Sequence, residues 1–165
     1  MQARIQNATA LLSEAMPHLQ ALAKSTENSG VPAQTLALAH LRASQINGCG
    51  VCVDMSFRYK TPGETAERLF AVAAWRDTPY FTDAERAALA LAEAVTRLSD
   101  RPDPVPDDVW NHAKGHFNEA QLAALVLHIA MTNVWNRFNV ATRQIAGEWA
   151  KSAEAKKWVE KGHSA

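Results

Sequence analysis

This sequence is short of most features that would mark a protein for nucleic acid, a membrane or a disulfide scaffold. Its 17 Lys and Arg are balanced by 17 Asp and Glu, so no global field draws it to nucleic acid or to an anionic membrane surface. No run of about eighteen apolar residues occurs, and no segment reads as a membrane span. The start, Met1-Gln-Ala-Arg-Ile-Gln-Asn7, lacks a charged-then-apolar targeting pattern, which makes the cytoplasm the expected location. Strand signals are nearly missing: long alternating runs of Val, Ile, Thr and aromatics do not occur, and no Asn-Gly is flanked by such runs. There are only two cysteines, Cys49 and Cys52. A loop that small cannot staple a fold, so in a cytosolic chain the pair reads as a redox or metal group.

What is present points to one all-α domain. Hydrophobic residues are 47% and charged residues 21% of 165, enough for one sizeable core and ordinary for a folded chain. With no internal repeat and no low-complexity linker, residues 1–165 are expected to form a single helical domain.

Nearly every apolar segment repeats at helical spacing. Leu36, Ala39, His40 and Ala43 form a stripe ending at Asn47-Gly48, a helix C-terminal signal. A second helical run extends from Cys49 to about Lys60 and is stopped by Thr61-Pro62-Gly63. Glu64 to Trp75 is a third. Thr82-Asp-Ala-Glu85 is a capping-box pattern opening a helix to about Leu98. Asp100-Arg-Pro-Asp-Pro-Val-Pro106 is a rigid connector, since prolines at alternate positions forbid a helix interior. Asp107 to His116 reads as a short helix, and Asn118-Glu-Ala-Gln121 caps a long one through Leu122, Leu125, Ile129, Val134 and Phe138. The charged stretch from Glu148 to Lys161, with Trp149, Trp158 and Val159, reads as a surface helix or a docking arm for another subunit.

The chemistry concentrates in Arg42-Ala-Ser-Gln-Ile-Asn-Gly-Cys49-Gly-Val-Cys52-Val-Asp-Met-Ser56. A Cys-x-x-Cys pair at a helix start suits thiol redox work: backbone N–H groups and the helix dipole stabilise a thiolate, and the second sulfur is near enough to close a disulfide. Two plainer readings stand beside it. Buried thiols serve as small hydrophobes. A four-sulfur zinc site needs two more cysteines, or the convergence of His40 and His128.

The block Leu41-Arg42-Ala43-Ser44-Gln45-Ile46-Asn47-Gly48-Cys49-x-x-Cys52-x-Asp54-Met55 resembles the carboxymuconolactone decarboxylase and alkylhydroperoxidase-D-like superfamily. So do Phe70-Ala-Val-Ala-Ala-Trp75, Tyr80-Phe81-Thr82-x-x-Glu85-Arg86-Ala87 and Asn133-x-Trp135-Asn136-Arg137. The resemblance covers about residues 33–149. It implies an all-helical bundle assembling as a homo-oligomer, a trimer or hexamer. It also implies thiol-dependent reduction of a small hydroperoxide without a cofactor or metal, followed by recycling with an external dithiol. In that family the second cysteine becomes the sulfenic acid and the first is proton donor and disulfide partner; here these are Cys52 and Cys49.

The family's Glu and His proton relay falls at Ala37 and Ser56. Alanine has no ionisable group, and a serine hydroxyl does not titrate near neutrality. Ser56 and His40 are the candidates for an auxiliary role, although a histidine on an apolar helix is more often a core or interface residue, and the same holds for His128. His18, His112, His116 and His163 read as surface residues. Asn133, Trp135, Asn136 and Arg137 read first as a helix packing on a neighbour, its amides satisfying loop carbonyls. Trp75, Trp110 and Trp135 read as core or interface anchors. Two other functions fit the scaffold: a non-redox enzyme, lactone decarboxylase-like or using the thiol as a carbon nucleophile, and a non-catalytic oligomer that binds a small ligand.

Overall fold

Leu36, Leu38, Ala39, Leu41 and Ala43 are all buried along one helix, α2 (Ala33–Ile46), against which the helices at 50–58, 83–96 and 119–141 pack. The computed structural model describes residues 1–6, 8–99, 102–152 and 155–156. In chain order the other helices are α1 (Ala15–Glu27), α3 (Gly50–Arg58), α4 (Ala66–Ala71), α5 (Asp83–Thr96), α6 (Asp107–Lys114) and α7 (Glu119–Ala141). Short 3-10 turns occur at Ala10–Leu12, Val72–Asp77 and Trp149–Lys151. The described residues contain no strand, so the all-helical expectation holds.

Local chemistry fixes the helix ends. Thr82 and Glu85 form a reciprocal capping box at the start of α5, and Asn118 and Gln121 do the same for α7. Each satisfies N–H groups that a helix start leaves open. Asp107 and Asp108 occupy the first turn of α6, with His112 and Lys114 in its last, signs that suit the helix dipole.

Two apolar clusters hold the bundle. Leu36 and Ala39 of α2 meet Ala88, Leu91 and Ala92 of α5 and Leu122, Leu125 and Ile129 of α7, with Phe117 beside them. On the other side Leu38 and Leu41 meet Leu69, Val72, Trp75, Phe81 and Leu89. Alanines dominate α5, so its backbone approaches α2 closely. A third, smaller cluster consists of Cys49, Val51 and Cys52, with Met55 packed against it.

Helix α1 is an element with no forerunner in the sequence pattern, and two sequence expectations need correction. The run from Glu64 to Trp75 is not one helix, because Ala74 leaves helical geometry (φ −125°, ψ 37°). Of the expected helix from Glu148 to Lys161, the described part begins as the 3-10 turn Trp149–Lys151. Trp158, Val159, Lys161 and His163 lie outside the described residues, as do Asp100 and Arg101 of the proline connector.

Candidate functional site

The site begins with a turn. Past the end of α2 the chain passes through Gly48 at φ +67°, a left-handed conformation that favours glycine. Gly48 N–H donates to the Gln45 carbonyl at 3.2 Å, and Cys49 N–H donates to the Ser44 carbonyl at 2.9 Å. These two bonds are the Schellman closure of a helix. Cys49 is therefore the last residue bonded to α2 and at once the N-cap of α3, its Sγ accepting from the Cys52 N–H at 3.3 Å. Cys52 lies in the first turn of α3, and the two residues form a disulfide with a Cα–Cα separation of 5.4 Å. Both are buried, at 1% and 3% exposure.

Helix α7 supplies the other wall. Asn136, wholly buried, donates from Nδ2 to Cys52 Sγ at 3.1 Å and to Ser44 Oγ at 3.0 Å. Asn139 donates to Cys52 Sγ at 3.5 Å and more distantly, at 3.9 Å, to Cys49 Sγ. Asn136 and Asn139 are three residues apart and so share a helix face. Asn139 is half-buried and marks the side of the pair nearer to solvent. Donors aimed at a sulfur favour its ionised form. Cys52 thus has two carboxamide donors, and Cys49 has the α3 N-terminus.

The motif around the cysteines is also structural. Arg42 pairs with Glu93 at 2.6 Å, and Glu93 further takes Arg76 at 2.8 Å and the Trp75 indole N–H at 3.0 Å. Burial alone would raise the pKa of Glu93, but the hydrogen bonds from Trp75, Arg76 and Arg42 outweigh it and hold the carboxyl below its ordinary value. Asp54 turns away from the sulfurs to bond Arg58 at 2.7 Å.

The two auxiliary candidates are not brought to the sulfurs. Ser56 is buried and its hydroxyl donates to the Cys52 backbone carbonyl at 3.0 Å. His40 bonds Thr132 Oγ1 through Nδ1 at 3.2 Å and packs edge-on to His128, ring centroids 6.4 Å apart. Burial, with the neighbouring His128, lowers the His40 pKa from 6.5 to about 3. Burial lowers that of His128 to about 4, against an opposing backbone contact at Leu36. Both rings are therefore neutral, partly buried groups near neutral pH. His18, His112 and His116 are exposed.

The asparagines of α7 need a different reading from the one their sequence suggested. Asn133 Nδ2 bonds its own helix, at the Ile129 carbonyl (2.8 Å), while Asn136 bonds a sulfur and a serine rather than loop carbonyls. Asn139 carried no sequence expectation, and its only signal was the three-residue spacing from Asn136. Trp75 is a core residue, Trp110 is 37% exposed, and Trp135 lines an apolar groove with Leu12, Met16, Leu19, Val134 and Phe138. Among the described residues no group of three or more His, Cys, Asp or Glu side chains is placed to hold a metal ion, and no helix is long and apolar enough to cross a membrane.

Comparison with known proteins adds a family frame. Residues 11–94, which include α1 to α3 and both cysteines, match the model of the carboxymuconolactone decarboxylase family. The uncharacterized protein YdfG of Bacillus subtilis is 34% identical over 129 residues, 78% of this chain and 86% of its own length. The crystal structure of ATU0492 from Agrobacterium tumefaciens is similar at TM-score 0.79 and 32% identity, over 88% of this chain and 98% of that one. ATU0492 is a protein of unknown function and a candidate antioxidant defence protein AhpD. The fold is shared by the debrominase Bmp8, whose Cys-to-Ala variant was solved with 2,3,4-tribromopyrrole (TM-score 0.72, 16% identity, 94% of this chain and 80% of that one).

Proposed function

This chain belongs to the carboxymuconolactone decarboxylase family, and on that premise we propose that it is a thiol-dependent peroxidase of the alkylhydroperoxidase-D type, using Cys52 and Cys49. The observation that carries this reading is the buried Cys-x-x-Cys pair at the start of α3, with carboxamide donors on Cys52 Sγ. A pair kept only for packing has no use for two amide donors on one sulfur.

The cycle balances as follows. The Cys52 thiolate attacks the terminal oxygen of a hydroperoxide; the S–O bond forms, the O–O bond breaks, and sulfur is oxidised by two electrons to the sulfenic acid. The leaving alkoxide takes the proton of the Cys49 thiol and departs as alcohol. The Cys49 thiolate then attacks the sulfenic sulfur, an S–S bond forms, and hydroxide leaves to be protonated by solvent. An external dithiol returns two electrons and two protons. The protein is expected to work as a homo-oligomer, with exposed Phe57 and Phe70 (59% and 89%) offering surface for a second copy.

A second reading has its own support. The fold also carries the debrominase Bmp8, and a tribromopyrrole occupies a variant of that protein lacking a cysteine. A thiolate at the start of α3 can attack carbon as well as oxygen. The test is peroxide consumption by purified protein with a dithiol recycler. Turnover lost in Cys52→Ser supports the peroxidase. A folded parent that consumes no peroxide, yet loses free thiol to a halogenated aromatic, would replace it with the second reading.

A further inference from the structure

The two ends of a carboxamide differ only in role, so the end facing a sulfur has to be settled by partners that can play a single role. Two such partners act on Asn133. Arg137 has only donors, and its Nη1 lies 2.8 Å from Asn133 Oδ1. The Ile129 carbonyl can only accept, and it lies 2.8 Å from Asn133 Nδ2. The oxygen of Asn133 is therefore directed toward Asn47. Asn47 must meet it with its nitrogen, at 2.9 Å, and the second hydrogen of that nitrogen reaches Asn136 Oδ1, also at 2.9 Å. With its oxygen committed, Asn136 turns its nitrogen to Ser44 Oγ and Cys52 Sγ. Arg137 and Asn47 both donate to Asn133 Oδ1, and from there the orientation of each amide fixes that of the next, ending at the sulfur.

We propose that Arg137, Asn133 and Asn47 are positioning residues that hold the Asn136 N–H toward Cys52, and that Asn136, with Asn139, stabilises the Cys52 thiolate where the family uses a histidine. The proposal rests on the thiol reading of the site. Its physics is independent of any proton transfer. Asn136 and Ser44 are fully buried and Asn133 is 9% exposed, so water does not compete for these bonds, and each amide holds the next in its orientation. A reversed Asn136 would present its oxygen to the sulfur and favour the neutral thiol. The Arg137 end stands at the surface, where it can be changed without opening the core.

The test uses reduced full-length protein carrying Cys49→Ser, so that only Cys52 reacts. The rate of iodoacetamide alkylation is followed across pH. Asn136→Leu should raise the ionisation midpoint, leaving about tenfold less thiolate at pH 7, the size expected for loss of a hydrogen bond to a charged acceptor. Arg137→Met should shift it in the same direction by about threefold in thiolate, and Arg137→Lys, another pure donor, should restore it. Asn133→Leu carries no charge change and should match Arg137→Met. A shift in Arg137→Met without one in Asn133→Leu would mean that the guanidinium acts as a bare charge, and the chain would be overturned. No shift in Asn136→Leu would overturn it too, and if that variant does not fold the Arg137 series decides alone. Peroxide turnover is measured separately on protein with both cysteines. Lack of turnover beside the expected ionisation order removes the peroxidase and leaves the amide chain standing.

Discussion

The N–H of Cys49 closes α2 on the Ser44 carbonyl while its sulfur caps α3, so one residue terminates one helix and begins the next. The turn that allows this runs through Gly48, whose positive φ makes the glycine necessary.

Gly48→Ala should therefore destabilise the protein through the backbone alone, because a Cβ there meets nothing within 4 Å. The expected cost is about 1–2 kcal/mol, and Gly48→Asn should cost less, since asparagine tolerates this conformation. Urea denaturation measures both. Equal stability of Gly48→Ala and the parent would show that the turn is not constrained as described.

Acid should weaken the fold through His40 and His128. Their folded pKa values, about 3 and about 4, lie below the ordinary 6.5. The unfolded chain then binds more protons as the pH drops, and stability falls with it. The contribution is complete above pH 6.5 and is lost progressively as pH falls toward those folded values. Between about pH 6.5 and 5, where carboxylates hardly titrate, the melting temperature should drop by several degrees. The drop should be smaller in His40→Gln. A flat profile in the parent over that window would contradict it.

Glu93 is the shared anchor of Arg42, Arg76 and Trp75. Glu93→Ala leaves a guanidinium and an indole N–H without their acceptor inside the bundle, and should cost about 3 kcal/mol. That is the low end for breaking a buried pair, because Arg76 is largely exposed, at 57%. Chemical denaturation of Glu93→Ala beside Arg76→Ala checks it, with the first expected to cost clearly more.

Restoring the relay tests what limits turnover. Ala37→Glu with Ser56→His should raise peroxidase turnover by ~10²–10⁴, the usual scale of general-base help, and the two changes should be non-additive. Position 56 lies one turn beyond Cys52, on the same face. It is only 4% exposed, so the larger ring should cost about 1–3 kcal/mol in stability. Kinetics of both single variants and the double variant, with Cys52→Ser as the zero, decide it. A folded double variant with no gain would point to a pocket shaped for other chemistry.

Some of this was legible in the sequence. Asn47-Gly48 after an apolar stripe marks a helix end, and the boxes at Thr82–Glu85 and Asn118–Gln121 carry their own partners within four residues. Helix α1 carries no such mark: no side chain caps its start, Thr26 is its one buried residue, and Leu22 is 46% exposed. The break at Ala74 has no Gly or Pro to announce it. It arises in tertiary structure, where Trp75 turns into the core and reaches Glu93. The sulfur donors were hidden for a related reason: Asn136 meets Cys52 across 84 residues of sequence, and no local pattern encodes such a meeting.

The first turn of α3 contains the whole redox unit, with Cα atoms 5.4 Å apart, a spacing that an ordinary helical turn provides whether or not the sulfurs are bonded. Making or breaking the bond therefore asks for a side-chain rotation and no journey of the backbone. Enzymes whose cysteines must travel to meet each other change shape as they cycle, and a partner can read that change. In the peroxidase proposed above, the electrons then come and go with little change of exterior, which suits a protein that disposes of an oxidant better than one that reports it.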